Sequence, residues 1–299
     1  MPTTVGKVLP QGCSVWPAFW TVGPDWPNNG EIDIIEYVNK QTTVQSTLHT
    51  SNGCSMYNMN TSTLTGTFEN LGCYANEPGQ SSNAGCGIQG SALVGAPFNQ
   101  QGGGVYVTEW VNDKYIRMFY FPRASVPQDI KNKKPDPSKW GLPYARFDIG
   151  SCGSSCPSSH FKNNKIIFDT TFCGEWAGAA FGSCSKTLSC KNFVYQNPAE
   201  FVEAYWLVNY VDIYDFETPT SVPVAKVVAH PLDPPAYSLS STYDASNFFA
   251  NFKFDTIADP NHGYVNYVNY STAAKQKLAK YTKDNKVYLG VGMLRLFLY

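Results

Sequence analysis

The amino-acid sequence predicts an all-β protein built as a two-sheet β-sandwich or jelly roll. Three observations support this class: short runs rich in β-branched and aromatic residues recur, turn-forming residues separate them, and few segments show a helical period. The 299 residues include 24 Gly and 20 Pro, and 43% of them are hydrophobic. A chain of this length and composition can bury a large core.

The first informative element is a strand over residues 30–36, Gly-Glu-Ile-Asp-Ile-Ile-Glu. Side chains alternate between the two faces of a strand, so Glu31 and Asp33 share one face and isoleucines occupy the other. Glu36 would fall on the isoleucine face of a regular strand. One extra residue near Ile34–Ile35, a β-bulge, would bring Glu36 back beside the other two acids.

Three carboxylates on one face repel one another, and glycosidic bond cleavage would explain their presence. This reaction needs two carboxyl groups flanking the bond, one ionised and one protonated. After the bulge, the α-carbons of Glu31 and Glu36 would be ~13 Å apart. Side chains that close to about 5–5.5 Å give the retaining arrangement. Asp33 between them would hold one member protonated by like-charge coupling and hydrogen bonding. A solvated edge strand or a loose cation site is the alternative.

Further elements follow along the chain. The predicted strands are residues 104–110 and 114–121, joined as a hairpin by the Val111–Asp113 turn, and then 165–172 and 205–214. A helix is predicted only over residues 197–204 and 271–278.

Composition narrows the choice of ligand. Charged residues make up 15% of the chain and the net charge is −1, which argues against nucleic acid or an anionic membrane as a partner. No apolar run is long enough to span a bilayer. Aromatic residues reach 15%, with 7 Trp and 19 Tyr. Such a chain suits a neutral ligand, and aromatic rings that stack on sugars fit this description.

The cysteines indicate an oxidising compartment. Nine of them occur, at positions 13, 54, 73, 86, 152, 156, 173, 184 and 190. Their spacing lacks the pairing of a zinc site, so we expect disulfides with one thiol left over and an extracellular location. Cys152 and Cys156, and likewise Cys184 and Cys190, lie in Gly/Ser loops where a disulfide would tie down an exposed segment. Residues 1–10, however, lack the apolar region of a secretory signal.

Two adjoining segments resemble a known family: residues 10–20, Pro-Gln-Gly-Cys-Ser-Val-Trp-Pro-Ala-Phe-Trp, and residues 25–36, Asp-Trp-Pro-Asn-Asn-Gly-Glu-Ile-Asp-Ile-Ile-Glu. They are similar to the catalytic stretch of glycoside hydrolase family 16, and more narrowly to its fungal endo-1,3(4)-β-glucanase, laminarinase-like branch. The resemblance continues through residues 47–50, 102–110, 121–123 and 172–178. It implies a concanavalin A-like sandwich with a concave substrate cleft.

The resemblance implies a role for each matching residue. Glu31 would be the nucleophile, Glu36 the general acid/base, and Asp33 a group that tunes the nucleophile. The residues implied to contact substrate are Trp20, Trp26, His49, Trp110 and Trp176. No metal or other cofactor is expected.

Each of these substrate contacts has a structural alternative. Core packing is the alternative for every tryptophan, and a purely structural histidine is the alternative for His49. Among the tryptophans of the matching segments, Trp16 is expected in the core because proline follows it at once. Trp26, in a Pro/Asn/Gly loop, is expected in the cleft.

The implied activity is endo-acting, retaining hydrolysis of 1,3- or mixed 1,3/1,4-linked β-glucan by a monomer. A non-catalytic β-glucan-binding protein on the same sandwich is the alternative from another class, and it is disfavoured because Glu31 and Glu36 are both present. A glucan transglycosylase is the alternative within the enzyme class.

The order of the segments departs from the family. We predict a catalytic sandwich region over residues 1–215, a Pro-rich linker over 216–240, and a segment over 241–299 that resembles strands which family members carry at their N-terminus. This circularly permuted segment would either complete the same sandwich or begin an incomplete second copy. A mis-joined gene would give the same order.

Overall fold

The computed structural model describes residues 2–150 and 154–214, together with four short strands at 258–259, 263–264, 287–289 and 294–295. The strands are β1 (Pro2–Val8), β2 (Val15–Val22), β3 (Glu31–Glu36), β4 (Thr43–His49), β5 (Thr67–Phe68), β6 (Cys86–Leu93), β7 (Gly104–Val111), β8 (Tyr115–Pro122), β9 (Ala145–Asp148), β10 (Lys165–Phe172), β11 (Trp206–Ile213), β12 (Ala258–Asp259), β13 (Gly263–Tyr264), β14 (Val287–Leu289) and β15 (Leu294–Arg295).

Short helices lie in the connections between strands. The α-helices are α1 (Gly95–Gln100), α2 (Gln128–Lys131), α3 (Gly174–Ala179) and α4 (Cys190–Gln196). The 3-10 helices are Thr61–Thr63, Arg123–Ser125, Pro137–Lys139, Ser158–His160, Ala180–Ser183 and Pro198–Phe201. In the part of the chain that the structure describes, no helix has the length and apolar character needed to cross a membrane.

The long strands form two antiparallel sheets. Sheet 1 has six strands in the order β14-β11-β1-β7-β8-β9, and sheet 2 has seven in the order β15-β10-β2-β3-β4-β6-β5. A separate pair joins β12 to β13. The predicted all-β, two-sheet sandwich is therefore confirmed.

The main core lies between the two sheets and explains why these segments are strands. Alternate residues of sheet 2 face inward, among them Phe19, Leu48 and Ile88, and they meet Ile116, Phe147 and Trp206 of sheet 1. Each is at most 1% exposed. Burial of one such side chain contributes roughly 1.5–3 kcal/mol. Because one face of sheet 2 packs into this core, the opposite face is available to carry the functional residues.

The outer face of sheet 1 carries a second, smaller core. Val107 and Phe119 of that sheet pack against Val126 and Ile130, with Trp140 partly buried beside them. Residues 123–140, which contain α2 and two 3-10 helices, therefore cover this sheet.

Four disulfides occur among the described residues, two between cysteines close in sequence and two between distant ones. The pairs are Cys13–Cys184, Cys54–Cys156, Cys73–Cys86 and Cys173–Cys190. Cys184 is bonded to Cys13, and Cys156 to Cys54, rather than to the cysteines beside them in the sequence. For Cys184 this follows because the fold brings the segment before β2 beside the helices that follow β10. Cys152 lies outside the described residues.

The predicted elements compare well with the observed ones. β7 and β8 form the expected hairpin, and β10 and β11 match the other two predicted strands. The helix predicted at 197–204 is reduced to the short 3-10 helix Pro198–Phe201, and the structure places α4 just before it. The helix predicted at 271–278 and the linker at 216–240 lie outside the described residues.

The chain's C-terminal part adds one short strand to each sheet. β14 pairs with β11 at the edge of sheet 1, and β15 pairs with β10 at the edge of sheet 2. Most of residues 241–299 lies outside the described part of the chain, so their assignment to this sandwich stays a prediction.

Candidate active site

A β-bulge in β3 places the three acids on one face. On β2, Phe19 pairs with Ile35 while Trp20 pairs with Asp33, so no residue of β2 is opposite Ile34. On β4, Asp33 pairs with Thr47 and Glu36 pairs with Gln45. Two residues of β3 thus occupy the space of one. The predicted bulge is confirmed, and it explains how the consecutive Ile34 and Ile35 can both be buried in the core at 1% exposure.

We call the side of sheet 2 that carries Glu31, Asp33 and Glu36 the acidic face. The strand register adds neighbours from the other strands to this face: Trp16, Ala18, Trp20 and Val22 of β2, Gln45, Thr47 and His49 of β4, and Asp169 of β10. A fourth carboxylate, Asp169, and the polar pair Gln45 and Thr47 were not predicted from the sequence. Asp169 reaches this face because β10 pairs with β2, and the sequence does not show which strands pair.

Asp33 is the most enclosed of the acids. It is 2% exposed, and its Oδ2 lies 3.1 Å from Nε2 of His49. Burial raises the pKa of Asp33 well above its ordinary value, and the charge of Glu31, a hydrogen bond with the Glu31 side chain and the charge of Asp169 add to this effect. Asp33 therefore tends to keep a proton that it donates to Glu31, which is itself 6% exposed.

Glu36 has the properties of a proton donor. Burial raises its pKa well above the ordinary value, and the charge of Asp33 raises it further. The charge of His49 and a hydrogen bond from Trp16 act in the opposite direction. A carboxyl that holds its proton beside an acid pair is the arrangement that general acid catalysis requires.

Trp16 corrects the expectation that it lies in the core. Its Nε1–H donates a hydrogen bond to Oε1 of Glu36 at 2.8 Å, and its side chain is only partly buried. The ring of Trp176, in α3, meets the ring of Trp16 edge-on at 5.7 Å. Proline at position 17 is compatible with this placement, because Pro17 continues β2 and the alternation carries Trp16 to the acidic face.

The other predicted substrate residues divide into two groups. Trp20 and His49 lie on the acidic face directly opposite Asp33 and Glu31, and Trp26 lies in the loop that enters β3. Trp110 does not join them. It lies in β7 of sheet 1, packs against the main core and contacts the ring of Phe161 at 6.3 Å, so it has the core-packing environment that was its alternative.

A cation could also be accommodated at this site. Glu31, Asp33 and His49 each place one ligand atom within 4.8 Å of the others. The raised pKa of Asp33 works against this use, because a protonated carboxyl is a poor ligand for a cation. The geometry favours a proton-sharing pair of acids.

The two-sheet sandwich and its acidic face define a carbohydrate-active β-sandwich protein. Residues 7–214 match the family model described as the XgeA-like, catalytic GH16 domain. The chain belongs to this family, and the predicted membership in glycoside hydrolase family 16 is confirmed.

Similarity to curated proteins supports the same assignment. The chain is 44% identical over 211 residues to a probable glycosidase of Schizosaccharomyces pombe, covering 70% of this chain and 49% of that protein. It is 45% identical over 215 residues to the endo-1,3(4)-β-glucanase xgeA of Emericella nidulans, covering 68% of this chain and 32% of that protein. The chain thus spans half or less of the length of these relatives.

Solved structures show the same fold. Laminarinase 16A of Phanerochaete chrysosporium, solved with 6-O-glucosyl-laminaritriose in both donor and acceptor sites, matches with a TM-score of 0.63 and 39% identity over 70% of each chain. A GH16 β-1,3-glucosyltransferase described as elongating matches with a TM-score of 0.62 and 41% identity, also over 70% of each chain.

Proposed function

We propose that this protein is an endo-acting, retaining β-glucanase that hydrolyses 1,3- or mixed 1,3/1,4-linked β-glucan. One observation carries the proposal: the bulge in β3 puts Glu31, Asp33 and Glu36 on one face, where Glu36 has a raised pKa and Asp33 shares a hydrogen bond with Glu31. Two carboxyl groups in different protonation states are what glycosidic cleavage needs.

In the first step, Glu36 gives its proton to the glycosidic oxygen while Glu31 attacks the anomeric carbon. The bond to the leaving sugar breaks and a covalent glycosyl–Glu31 ester forms. In the second step, the ionised Glu36 takes a proton from water, the water oxygen attacks the anomeric carbon, and Glu31 leaves as a carboxylate.

Asp33 supports this sequence as a tuning group. A proton on Asp33 that is hydrogen-bonded to Glu31 favours the ionised nucleophile, and His49, 3.1 Å from Asp33, keeps that carboxyl in place. Trp20 and Trp16 on the same face, and Trp26 in the adjoining loop, provide flat surfaces suited to sugar rings. The names of the relatives support β-glucan as the substrate.

A glucan transglycosylase is the second candidate, supported by the similarity to the elongating β-1,3-glucosyltransferase. Both reactions share the glycosyl–Glu31 intermediate and differ in the acceptor, which is water or a second glucan.

We further propose that the protein acts as a monomer, since one chain supplies every residue of the site, and that it is extracellular, which its four disulfides support.

Proton NMR during cleavage of a β-glucan oligosaccharide tests the proposal. The first product should carry the β-anomer, and longer products at high substrate concentration would identify transglycosylation. Glu31→Gln should abolish turnover while glucan binding persists. An initial α-anomer would refute the assignment of Glu31 as nucleophile, and equal loss of binding and turnover would indicate a folding role instead.

A further inference from the structure

The bulge that aligns the acids leaves a backbone carbonyl in need of partners. No residue of β2 is opposite Ile34, so the regular ladder of hydrogen bonds is interrupted there. Ile34 is 1% exposed, and its carbonyl has no access to bulk water. A buried carbonyl without a donor is costly, so something must replace the ladder.

Two hydroxyl groups supply the replacement. Ser46 Oγ donates to the Ile34 carbonyl oxygen at 2.8 Å, and the Tyr144 hydroxyl donates to the same oxygen at 3.0 Å. The two hydroxyls lie 3.2 Å apart. Ser46 is 0% exposed and Tyr144 is 5% exposed, so no water competes for these bonds. Both lone pairs of the carbonyl are thereby used.

The two donors come from opposite sides of the core. Ser46 lies in β4, directly across from the bulge and between the residues that pair with Asp33 and Glu36. Tyr144 precedes β9 of sheet 1 and reaches across the sandwich to sheet 2. Of the two donors, Tyr144 alone connects β3 to the opposite sheet.

The position of Tyr144 is held on several sides. Its backbone nitrogen donates to the carbonyl of Met118 at 2.9 Å, and its carbonyl accepts from the nitrogen of Gly66 at 3.0 Å. A Cβ atom at Gly90 would come within 2.4 Å of the Tyr144 ring, so any larger residue there would displace the ring. Burial also raises the pKa of the Tyr144 phenol, which keeps it a donor at every working pH.

We propose that Ser46 and Tyr144 form a latch that holds the bulge in β3, and that they are positioning residues for Glu36 relative to Glu31. They contact neither acid and act through the Ile34 backbone. The kinetic part of this inference rests on the proposed glucanase function. Loss of the latch lets the bulge relax or migrate, and each such change rotates Glu36 away from the acidic face.

The test compares the double variant Ser46→Ala/Tyr144→Phe with Tyr106→Phe. Tyr106 is the matched control, because it lies in the same core, contacts the Tyr144 ring at 6.1 Å, and donates its hydroxyl to the carbonyl of Leu93 at 2.7 Å. Both variants lose buried hydroxyl-to-carbonyl bonds, but only the double variant loses those at the bulge. Serine-only and tyrosine-only variants complete a double-mutant cycle.

In folded protein, kcat of the double variant should fall roughly 10- to 100-fold while KM changes little, as expected when a catalytic group is displaced by about 1 Å. Tyr106→Phe should keep the parental kcat. Amide hydrogen exchange gives a readout that needs no activity: the peptide covering β3 should exchange faster in the double variant than in either the parent or Tyr106→Phe.

Parental kcat in the folded double variant, or β3 exchange equal to that of Tyr106→Phe, would overturn the latch. A parent protein that cleaves no β-glucan would instead overturn the proposed function, and the exchange comparison would still decide on the latch by itself.

Discussion

The hydrogen bond from Trp16 to Glu36 allows a quantitative test of the pH dependence of the proposed reaction. The Trp16 Nε1–H bond at 2.8 Å stabilises the ionised form of Glu36 and so lowers a pKa that burial and Asp33 have raised. Replacing Trp16 with Phe keeps an aromatic ring and removes the donor. The pKa of Glu36 should therefore rise further.

The size of the change follows from the strength of the lost bond. A hydrogen bond to a charged group contributes about 1.5–3 kcal/mol, and one pKa unit corresponds to about 1.36 kcal/mol, which gives about 1–2 units. Glu36 retains partial exposure, so water replaces part of the lost bond, and we expect a shift near one unit.

The direction in which the pH profile should move follows from the proposed mechanism. In the proposed mechanism Glu36 must be protonated to act as the acid in the first step, so its ionisation should produce the alkaline limb of a bell-shaped profile of kcat/KM. A higher pKa of Glu36 moves this limb to higher pH by about one unit. The acidic limb, which reports the ionisation of the nucleophile pair, should move much less.

The assay measures kcat/KM for a soluble β-glucan oligosaccharide across the pH range in the parent and in Trp16→Phe. Trp176→Phe is the control, because it disturbs the same edge-to-face ring contact at 5.7 Å but keeps the bond to Glu36. An unmoved alkaline limb in Trp16→Phe, or an equal shift in Trp176→Phe, would refute the reasoning.

Two further predictions concern the acid/base and the segment order. Glu36→Ala should be nearly inactive, and azide should restore turnover of substrates with activated leaving groups, because a small anion can attack the glycosyl–Glu31 ester once base help is lost; failure of azide would contradict the role of Glu36. Limited proteolysis within residues 216–240 should leave two associated pieces, because β14 and β15 pair with strands of sheets 1 and 2; a C-terminal piece that separates freely would instead indicate a second, incomplete domain.

The sequence allowed the strand, the bulge and the acids to be predicted because they depend on local alternation. Glu31, Asp33 and Glu36 can share a face only if β3 carries an extra residue, and the two buried isoleucines demand the same extra residue. Both requirements lie within six consecutive residues. Strand periodicity was therefore sufficient for this part of the site.

The parts that could not be predicted depend on which strands become neighbours. Asp169 lies on the acidic face because β10 pairs with β2. Trp110 is absent from that face because β7 belongs to the opposite sheet. Two of the disulfides join partners distant in sequence for the same reason, and Cys13 and Cys184 are 171 positions apart. No local pattern contains this information. A neighbouring proline also proved a poor guide to the side on which Trp16 lies.

The bulge links the stability of the fold to the chemistry of the site. The same extra residue that aligns the acids also places Ile34 and Ile35 together in the core, so the apolar burial of that pair offsets the cost of the broken ladder. Burial of the acids is in turn what raises the pKa values of Asp33 and Glu36. These raised values favour protonated acids, so as pH rises through the ordinary carboxyl range the folded state loses stability relative to the unfolded chain. The site therefore destabilises the fold most above the raised pKa values of these acids, where Glu36 would also lose the proton that it needs as the proposed acid.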